Sequence, residues 1–153
     1  NDYKYTDEEE NIDTEGIETK RCTGELCRGK ERPLEFFCPQ AQLNKKAMCK
    51  LCTNLSCKRR RLRSYEYVCE QKMNIGKCNE CGVKVTGATV CCFDFDHLDQ
   101  DDKTTEVAQL SSNGRTNVCI DNEISKCQLL CCKCHLLKTS KQLKWRQGSD
   151  IEI

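Results

Sequence analysis

The sequence has little of the material that usually fills a hydrophobic core. Of its 153 residues, 6% are aromatic, two are proline and one is tryptophan. No apolar run reaches the roughly 18 residues that a membrane-spanning helix needs, and no charged, apolar and small-residue pattern of a secretion signal opens the chain. We therefore expect no membrane partner, and we expect something besides apolar burial to hold the fold together.

Net charge is also small, at +1, but the charges are unevenly distributed. Residues 1–20 hold eight acidic residues and two lysines, a net charge of −6, which leaves +7 for the rest of the chain. A segment so acidic and so poor in apolar residues is typical of disorder. We therefore predict an acidic disordered tail over 1–20 and a short second tail over 148–153.

Cysteine, by contrast, is abundant, with 16 copies. A Cys-x2-Cys pair points two thiolates at one tetrahedral ion, and two such pairs complete a structural zinc site. The best-matched pairs predict one zinc held by Cys78, Cys81, Cys131 and Cys134. A second zinc is predicted at Cys22, Cys27, Cys49 and Cys52, with Cys38 and Cys57 as open alternatives to any of these four. Each correctly folded site contributes on the order of 10 kcal/mol.

These blocks divide the chain into a zinc-stabilised α+β protein with two modules. An N-terminal zinc-binding module is predicted over 21–57, a basic linking helix over 58–75 and a second domain over 76–147. Within that domain the apolar pattern predicts a short hairpin that joins 83–85 to 90–95 around Gly87-Ala88. Residues 98–122 are polar, with a loop expected at Ser111-Ser112-Asn113-Gly114, and a helix is expected over 133–145.

Only two histidines are present, and both occupy informative positions. His97 follows Asp96 at the end of a predicted strand, and His135 follows Cys134 at the start of a predicted helix. If the zinc cysteines tie these elements together, Asp96 and His135 can hold a divalent ion while His97 takes a proton from water. Phosphodiester hydrolysis requires this arrangement of base and metal.

Two basic stretches flank this predicted site. The run 58–63 carries five positive charges, and the C-terminal helix carries a row of lysines. Such faces suit backbone phosphates and carry no base specificity. The predicted DNA-backbone contacts are Arg59, Arg60, Arg61, Lys138, Lys141 and Lys144.

Together these motifs resemble the HNH endonuclease family, whose fold is called ββα-metal. The matching motifs lie within about 76–141: Cys78-x2-Cys81, Phe95-Asp96-His97, Cys131-x2-Cys134-His135 and Lys138-Thr139. The sequences of these motifs are most similar to those of the short cysteine-rich HNH proteins of phages and large DNA viruses. The resemblance implies that His97 is the general base and that Asp96 and His135 bind a catalytic Mg²⁺ or Mn²⁺. It also implies that Cys78, Cys81, Cys131 and Cys134 bind structural zinc.

One position departs from the family pattern. The family commonly has a structural Asn five residues before the first cysteine of the last pair, where this chain has Lys126. Asn117 and Asn122 are possible substitutes, although neither has the expected offset.

We therefore expect a metal-dependent endonuclease that cuts DNA, double-stranded in the first instance, inside the cell: in the cytoplasm or nucleus, or in a host cell if the protein is viral. The N-terminal module would aid substrate binding, protein contacts or self-association. The alternatives are a catalytically inactive, zinc-stapled nucleic-acid-binding or scaffold protein with an HNH fold, and a secreted disulfide protein.

Overall fold

A computed structural model of the chain describes residues 6, 12–44, 47–99 and 101–143. The protein is a small α+β structure with four short strands and five α-helices in this part of the chain. The strands are β1 (Thr19–Arg21), β2 (Glu31–Pro33), β3 (Phe93–His97) and β4 (Cys127–Cys131). The helices are α1 (Pro39–Leu43), α2 (Lys50–Ile75), α3 (Val107–Ser112), α4 (Asn117–Ile124) and α5 (Cys132–Gln142).

The predicted tails fall mostly outside the described residues. Residues 1–5, 7–11 and 144–153 are not described, so the tail over 148–153 stays a prediction. Part of the predicted N-terminal tail is regular structure, because its last residues belong to β1. No helix of the described residues is long and apolar enough to cross a membrane.

The chain forms two compact units, Asn1–Arg60 and Arg61–Ile153. In the first unit, β1 and β2 pair antiparallel, with Thr19 opposite Pro33. The core of this unit is mostly sulfur rather than hydrocarbon. Its buried members are Cys22, Cys27, Phe37, Ala47, Cys49 and Cys52.

Helix α2 begins eight residues earlier than the predicted linking helix, at Lys50 instead of Lys58. No glycine or proline interrupts the chain between Lys50 and Ile75, and the amide of Thr53 already donates to the carbonyl of Cys49 at 2.9 Å. The helix ends at Gly76, whose φ of +78° favours glycine and whose amide caps the Lys72 carbonyl at 3.1 Å. The boundary between the two units falls inside this helix.

The second unit is organised around the pair β3–β4, followed directly by α5. The strands run antiparallel, from Phe93 opposite Cys131 to His97 opposite Cys127. The buried apolar side chains come from both strands and from the helices packed on them. They are Val68, Phe93, Phe95, Val107, Ile120, Leu129 and Leu130.

The predicted hairpin between 83–85 and 90–95 is wrong. Strand β3 pairs with β4, and the segment around Lys84 forms only an isolated bridge with Lys77. The turn after Cys78 uses this segment instead, since the Cys78 amide donates to the Val83 carbonyl at 2.9 Å. A segment whose backbone groups are already paired in this way is not available to a second strand.

The polar stretch 98–122 contains α3 and most of α4, and the first two residues of the loop expected at 111–114 belong to α3, which ends at Ser112. The hydroxyl of Thr116 accepts the Cys119 amide at 3.5 Å and caps the start of α4. Each of these short helices buries only two side chains, Val107 and Ser111 in α3, and Ile120 and Glu123 in α4. So little apolar burial leaves a weak periodic signal in the sequence.

Candidate functional site

Four cysteine sulfurs of the second unit converge where α2 ends and β4 passes into α5. The ligand atoms of Cys78, Cys81, Cys131 and Cys134 all lie within 4.8 Å of one another. The sulfurs of Cys81 and Cys131 are 3.7 Å apart. A tetrahedral ion with zinc–sulfur bonds of about 2.3 Å gives sulfur–sulfur edges of about 3.8 Å. This donor set therefore fits zinc.

A second cluster of the same kind forms the centre of the first unit. Cys22, Cys27, Cys49 and Cys52 are all buried, with their sulfurs within 4.8 Å of one another. The sulfur of Cys27 lies 3.7 Å from that of Cys49 and 3.8 Å from that of Cys52. The alternative ligands Cys38 and Cys57 are not part of this cluster. All sixteen cysteines are free thiols, so the structure contains no disulfide framework.

The thiols of the second-unit cluster differ strongly in acidity. Burial opposes ionisation of Cys78, but backbone amides of Cys81, Cys131 and Glu80 outweigh it and lower the pKa of this thiol to about 6. Burial and the neighbouring cluster thiols raise the pKa of Cys134 to about 12. Four such sulfurs become stable together as thiolates only when a cation lies between them.

A cleft of about 460 Å³ opens beside β3 and α5. Its lining includes Asp94, Asp96, His97 and His135. The structure thus brings together the three residues to which the sequence assigned catalysis, and it adds Asp94. Asp94, Asp96 and His97 belong to β3. His135 belongs to α5, where it directly follows Cys134 of the cluster.

The two oxygens of Asp96 have different partners. Oδ2 accepts hydrogen bonds from Gln128 Nε2 at 3.1 Å and from Lys138 Nζ. Oδ1 lies 3.7 Å from Nε2 of His135. Two ligands that each lie about 2.1 Å from one ion are at most about 4.2 Å apart, and the separation of this oxygen and this nitrogen is below that limit.

Asp94 lies on the other side of the same imidazole. Its Oδ2 is 3.5 Å from Nδ1 of His135, and a carboxylate there favours a proton on Nδ1. The lone pair of His135 then belongs to Nε2, the nitrogen that faces Asp96. Metal-binding histidines are commonly oriented by a carboxylate in this way.

His97 is held by a buried carboxylate that the sequence did not reveal. Its Nε2 is 2.8 Å from Oε1 of Glu123, and the two side chains are only 2% and 5% exposed. The same oxygen accepts the backbone amides of Thr104 at 2.9 Å and Thr105 at 3.1 Å. Burial alone would raise the pKa of Glu123, but these hydrogen bonds, with those from His97 and Lys126, outweigh it and lower the pKa to about 2.

An ionised Glu123 fixes the tautomer of His97. Because a carboxylate only accepts hydrogen bonds, the proton of the neutral imidazole must reside on Nε2. Nδ1 then keeps its lone pair, and no described residue donates a hydrogen bond to it. His97 thus keeps one ring nitrogen without a proton, and the residue is part of the cleft lining although its side chain is only 2% exposed.

Lys126, at the position where the family has Asn, belongs to the same network. Its Nζ is 3.3 Å from Oε2 of Glu123, 3.0 Å from the Asp102 carbonyl and 2.9 Å from the Thr104 hydroxyl. It therefore fastens the segment after His97 to the end of α4. The possible substitutes Asn117 and Asn122 are exposed, and neither contacts His97 among the described residues. The one signal for Glu123 in the sequence is its spacing of three residues from Lys126.

The predicted DNA-backbone contacts have different surroundings. Lys138 is engaged in the site, since its Nζ binds Asp96 and the His97 carbonyl, the latter at 3.0 Å. Arg59 pairs with Glu25. Arg60, Arg61 and Lys141 are exposed, while Lys144 lies outside the described residues.

No protein-family model, curated protein or solved structure matches the chain.

The glycine beside the first-unit cluster provides a test of that cluster. A Cβ added at Gly24 would lie 2.3 Å from Cβ and 2.5 Å from Sγ of Cys52, far inside contact distance. We expect Gly24→Ala to lower the zinc content of the purified protein from two ions per chain to one, measured by atomic emission. Gly87→Ala is the matched control, because nothing lies within 4 Å of its added Cβ. Two zinc ions retained in Gly24→Ala would contradict this role of the cluster.

Replacement of Glu123 tests the network around His97. A pKa lowered from 4.5 to about 2 corresponds to about 3 kcal/mol of stability. This contribution is complete above about pH 4.5 and disappears as the pH falls toward 2. We expect Glu123→Gln to lose most of it at pH 7, in urea unfolding of the zinc-loaded protein.

Glu106→Gln is the control for this measurement. Its carboxylate forms an exposed pair with Lys103, and such pairs contribute less than about 1 kcal/mol. If the two variants unfold at the same urea concentration, Glu123 does not stabilise the fold in the way its contacts indicate.

Proposed function

We propose that the second unit is a metal-dependent endonuclease of the HNH type that hydrolyses DNA phosphodiester bonds. The observation that carries this proposal is the orientation of His97. Its Nε2 is tied to Glu123, which leaves the lone pair on Nδ1, and His97 lines the same cleft as Asp96 and His135. A general base beside two side chains that can bind a cation is the smallest set of groups that this reaction needs.

In this mechanism His97 Nδ1 accepts a proton from the attacking water. The imidazolium that forms has its positive charge next to the ionised Glu123, 2.8 Å from Nε2. That contact favours the protonated ring and holds its plane during the transfer. General-base assistance of this kind typically contributes about 10²–10⁴ in rate.

Asp96 Oδ1 and His135 Nε2 are the groups that would hold the catalytic Mg²⁺ or Mn²⁺. Such an ion neutralises charge on the scissile phosphate and on the leaving oxygen. Gln128 and Lys138 fix the Asp96 carboxylate through its other oxygen, and Asp94 orients His135. The protein therefore positions both donors without using the atoms that face the ion.

The order of elements supports the HNH assignment. Two antiparallel strands are followed at once by a helix, and the cysteine cluster joins the end of the second strand to that helix. His97 ends the first strand and His135 lies in the first turn of the helix. The motif resemblance predicts each of these placements.

DNA is proposed as the substrate because of charge. Arg60 and Arg61 are exposed on α2 within the basic run 58–63. Contacts of this type bind the phosphates of any sequence, so affinity would fall steeply with salt. Lys138 is not included among these proposed phosphate contacts, because its Nζ forms an ion pair with Asp96.

A second candidate function is a DNA-binding scaffold without turnover. The observation that favours it is the burial of His97, of which only 2% is exposed, inside an ionic network that also stabilises the fold. Under this alternative Glu123, His97 and Lys126 are a structural triad. The protein would then bind DNA in a salt-sensitive manner and leave it intact.

Cleavage of supercoiled plasmid with Mg²⁺ or Mn²⁺ distinguishes the two functions. We expect wild-type protein to produce nicked or linear DNA and His97→Ala to be slower by about 10²–10⁴-fold. Because His97 is buried, His135→Ala serves as a second variant: this imidazole is 38% exposed and its loss leaves no buried carboxylate unpaired. We expect it to lose cleavage while both zinc ions are retained.

Glu66→Gln is the control, because Glu66 is exposed on α2 and is not part of the cleft lining, so we expect cleavage at the wild-type rate. Full activity in both histidine variants would contradict the proposed mechanism. DNA binding by all four proteins with no cleavage by any of them would favour the scaffold.

A further inference from the structure

Eight cysteines lie outside the two four-cysteine clusters, and two of these are adjacent to each other. Cys91 and Cys92 belong to the 3-10 helix Val90–Cys92, directly before β3. Both are exposed, and their sulfurs are 3.9 Å apart. The positions of the other six assign them neither a structural nor a chemical role. None of these six is adjacent in sequence to another cysteine outside the clusters. This vicinal pair has no part in the proposed hydrolysis.

The spacing of the two sulfurs matches the edges of the clusters in the same protein. Those edges measure 3.7 and 3.8 Å, and a tetrahedral thiolate site around zinc has edges of about 3.8 Å. Cys91 and Cys92 thus present one edge of a thiolate site, and because both are exposed, the remaining coordination positions are open to solvent. Open positions distinguish binding sites from closed structural ones.

The backbone holds this edge in place. The Cys92 amide donates to the Thr89 carbonyl at 2.8 Å, which closes the turn. The Thr89 hydroxyl accepts the Thr86 amide at 3.0 Å and fixes the start of the same turn. The pair is therefore presented by an ordered turn, so less conformational entropy is lost when one ion binds both sulfurs.

The two thiols also influence the ionisation of one another. The pKa of Cys92 is raised, first by its hydrogen bond with Cys91 and then by the charge of that neighbour. One cation bound to both sulfurs would offset this mutual effect.

We propose that Cys91 and Cys92 form a third, open thiolate site that binds one thiophilic ion. Soft centres such as Cu(I) or trivalent arsenic suit sulfur ligands and low coordination numbers. On binding, each thiol loses its proton and forms one sulfur–ion bond. With phenylarsine oxide the balance is C₆H₅AsO + 2 RSH → C₆H₅As(SR)₂ + H₂O, without any change of oxidation state.

Phenylarsine oxide is the probe for this site, because it is retained only where two thiols bind the same arsenic. The full chain, loaded with two zinc ions, is treated anaerobically with one equivalent of the reagent and analysed by native mass spectrometry. We expect one arsenic adduct per chain with both zinc ions still bound. Cys91→Ser and Cys92→Ser should each lower the adduct at least tenfold.

Cys119→Ser and Cys38→Ser are the matched controls, since each removes an exposed thiol that is not part of the pair. Both should keep the adduct. Retention of two zinc ions in every variant shows that the fold is intact, and this readout does not depend on DNA cleavage. An adduct that persists in Cys91→Ser and Cys92→Ser, or one that forms only as zinc is lost, would overturn the proposal.

Discussion

The second unit depends on the sulfur cluster of Cys78, Cys81, Cys131 and Cys134. Cys81 and Cys131 are separated by 50 positions in the chain, yet their sulfurs approach to 3.7 Å. The cluster joins the turn after α2 to the point where β4 becomes α5, and it thereby sets the start of the helix that carries His135. Because the pKa of Cys134 is raised to about 12, the sulfurs alone cannot supply this cohesion at neutral pH. Because the apolar core of the unit is small, the unit needs the free energy of ion binding at the cluster for its stability.

The features that the sequence predicted well are those with local geometry. Both four-cysteine sets combine pairs that are close in the chain. Three of these pairs have Cys-x2-Cys spacing, in which one turn determines where two sulfurs point, and the fourth is Cys22-x4-Cys27. Helix α5 follows from an uninterrupted stretch, although it starts one residue before the predicted position. Asp96 and His97 were expected at a strand end, and β3 does end at His97. In each case the residues that decide the structure are neighbours in the chain.

The features that the sequence did not predict are long-range. The apolar alternation at Val83 and Val85 suggests a hairpin, but the cysteine turn uses the backbone of this segment and leaves β3 to pair with the distant β4. Glu123 resembles any acidic residue of a polar helix until tertiary packing buries it beside His97. Neither the pairing partner of β3 nor the burial of Glu123 can be predicted from periodicity, because both depend on which segments meet after the chain has folded.

The strand β3 separates two ionic networks that meet at neighbouring residues. His97 has its partner on the α4 side, where Glu123 is balanced by Lys126. Asp96 has its partners on the β4–α5 side, where Gln128 and Lys138 bind one oxygen. Lys138 is the point of contact, since it also binds the His97 carbonyl. Every buried acid in these networks thus has its own cation, as burial of charge requires. Among the described residues, the polar side-chain atoms of this pair that take part in no hydrogen bond are His97 Nδ1 and Asp96 Oδ1, and both residues are part of the lining of one cleft.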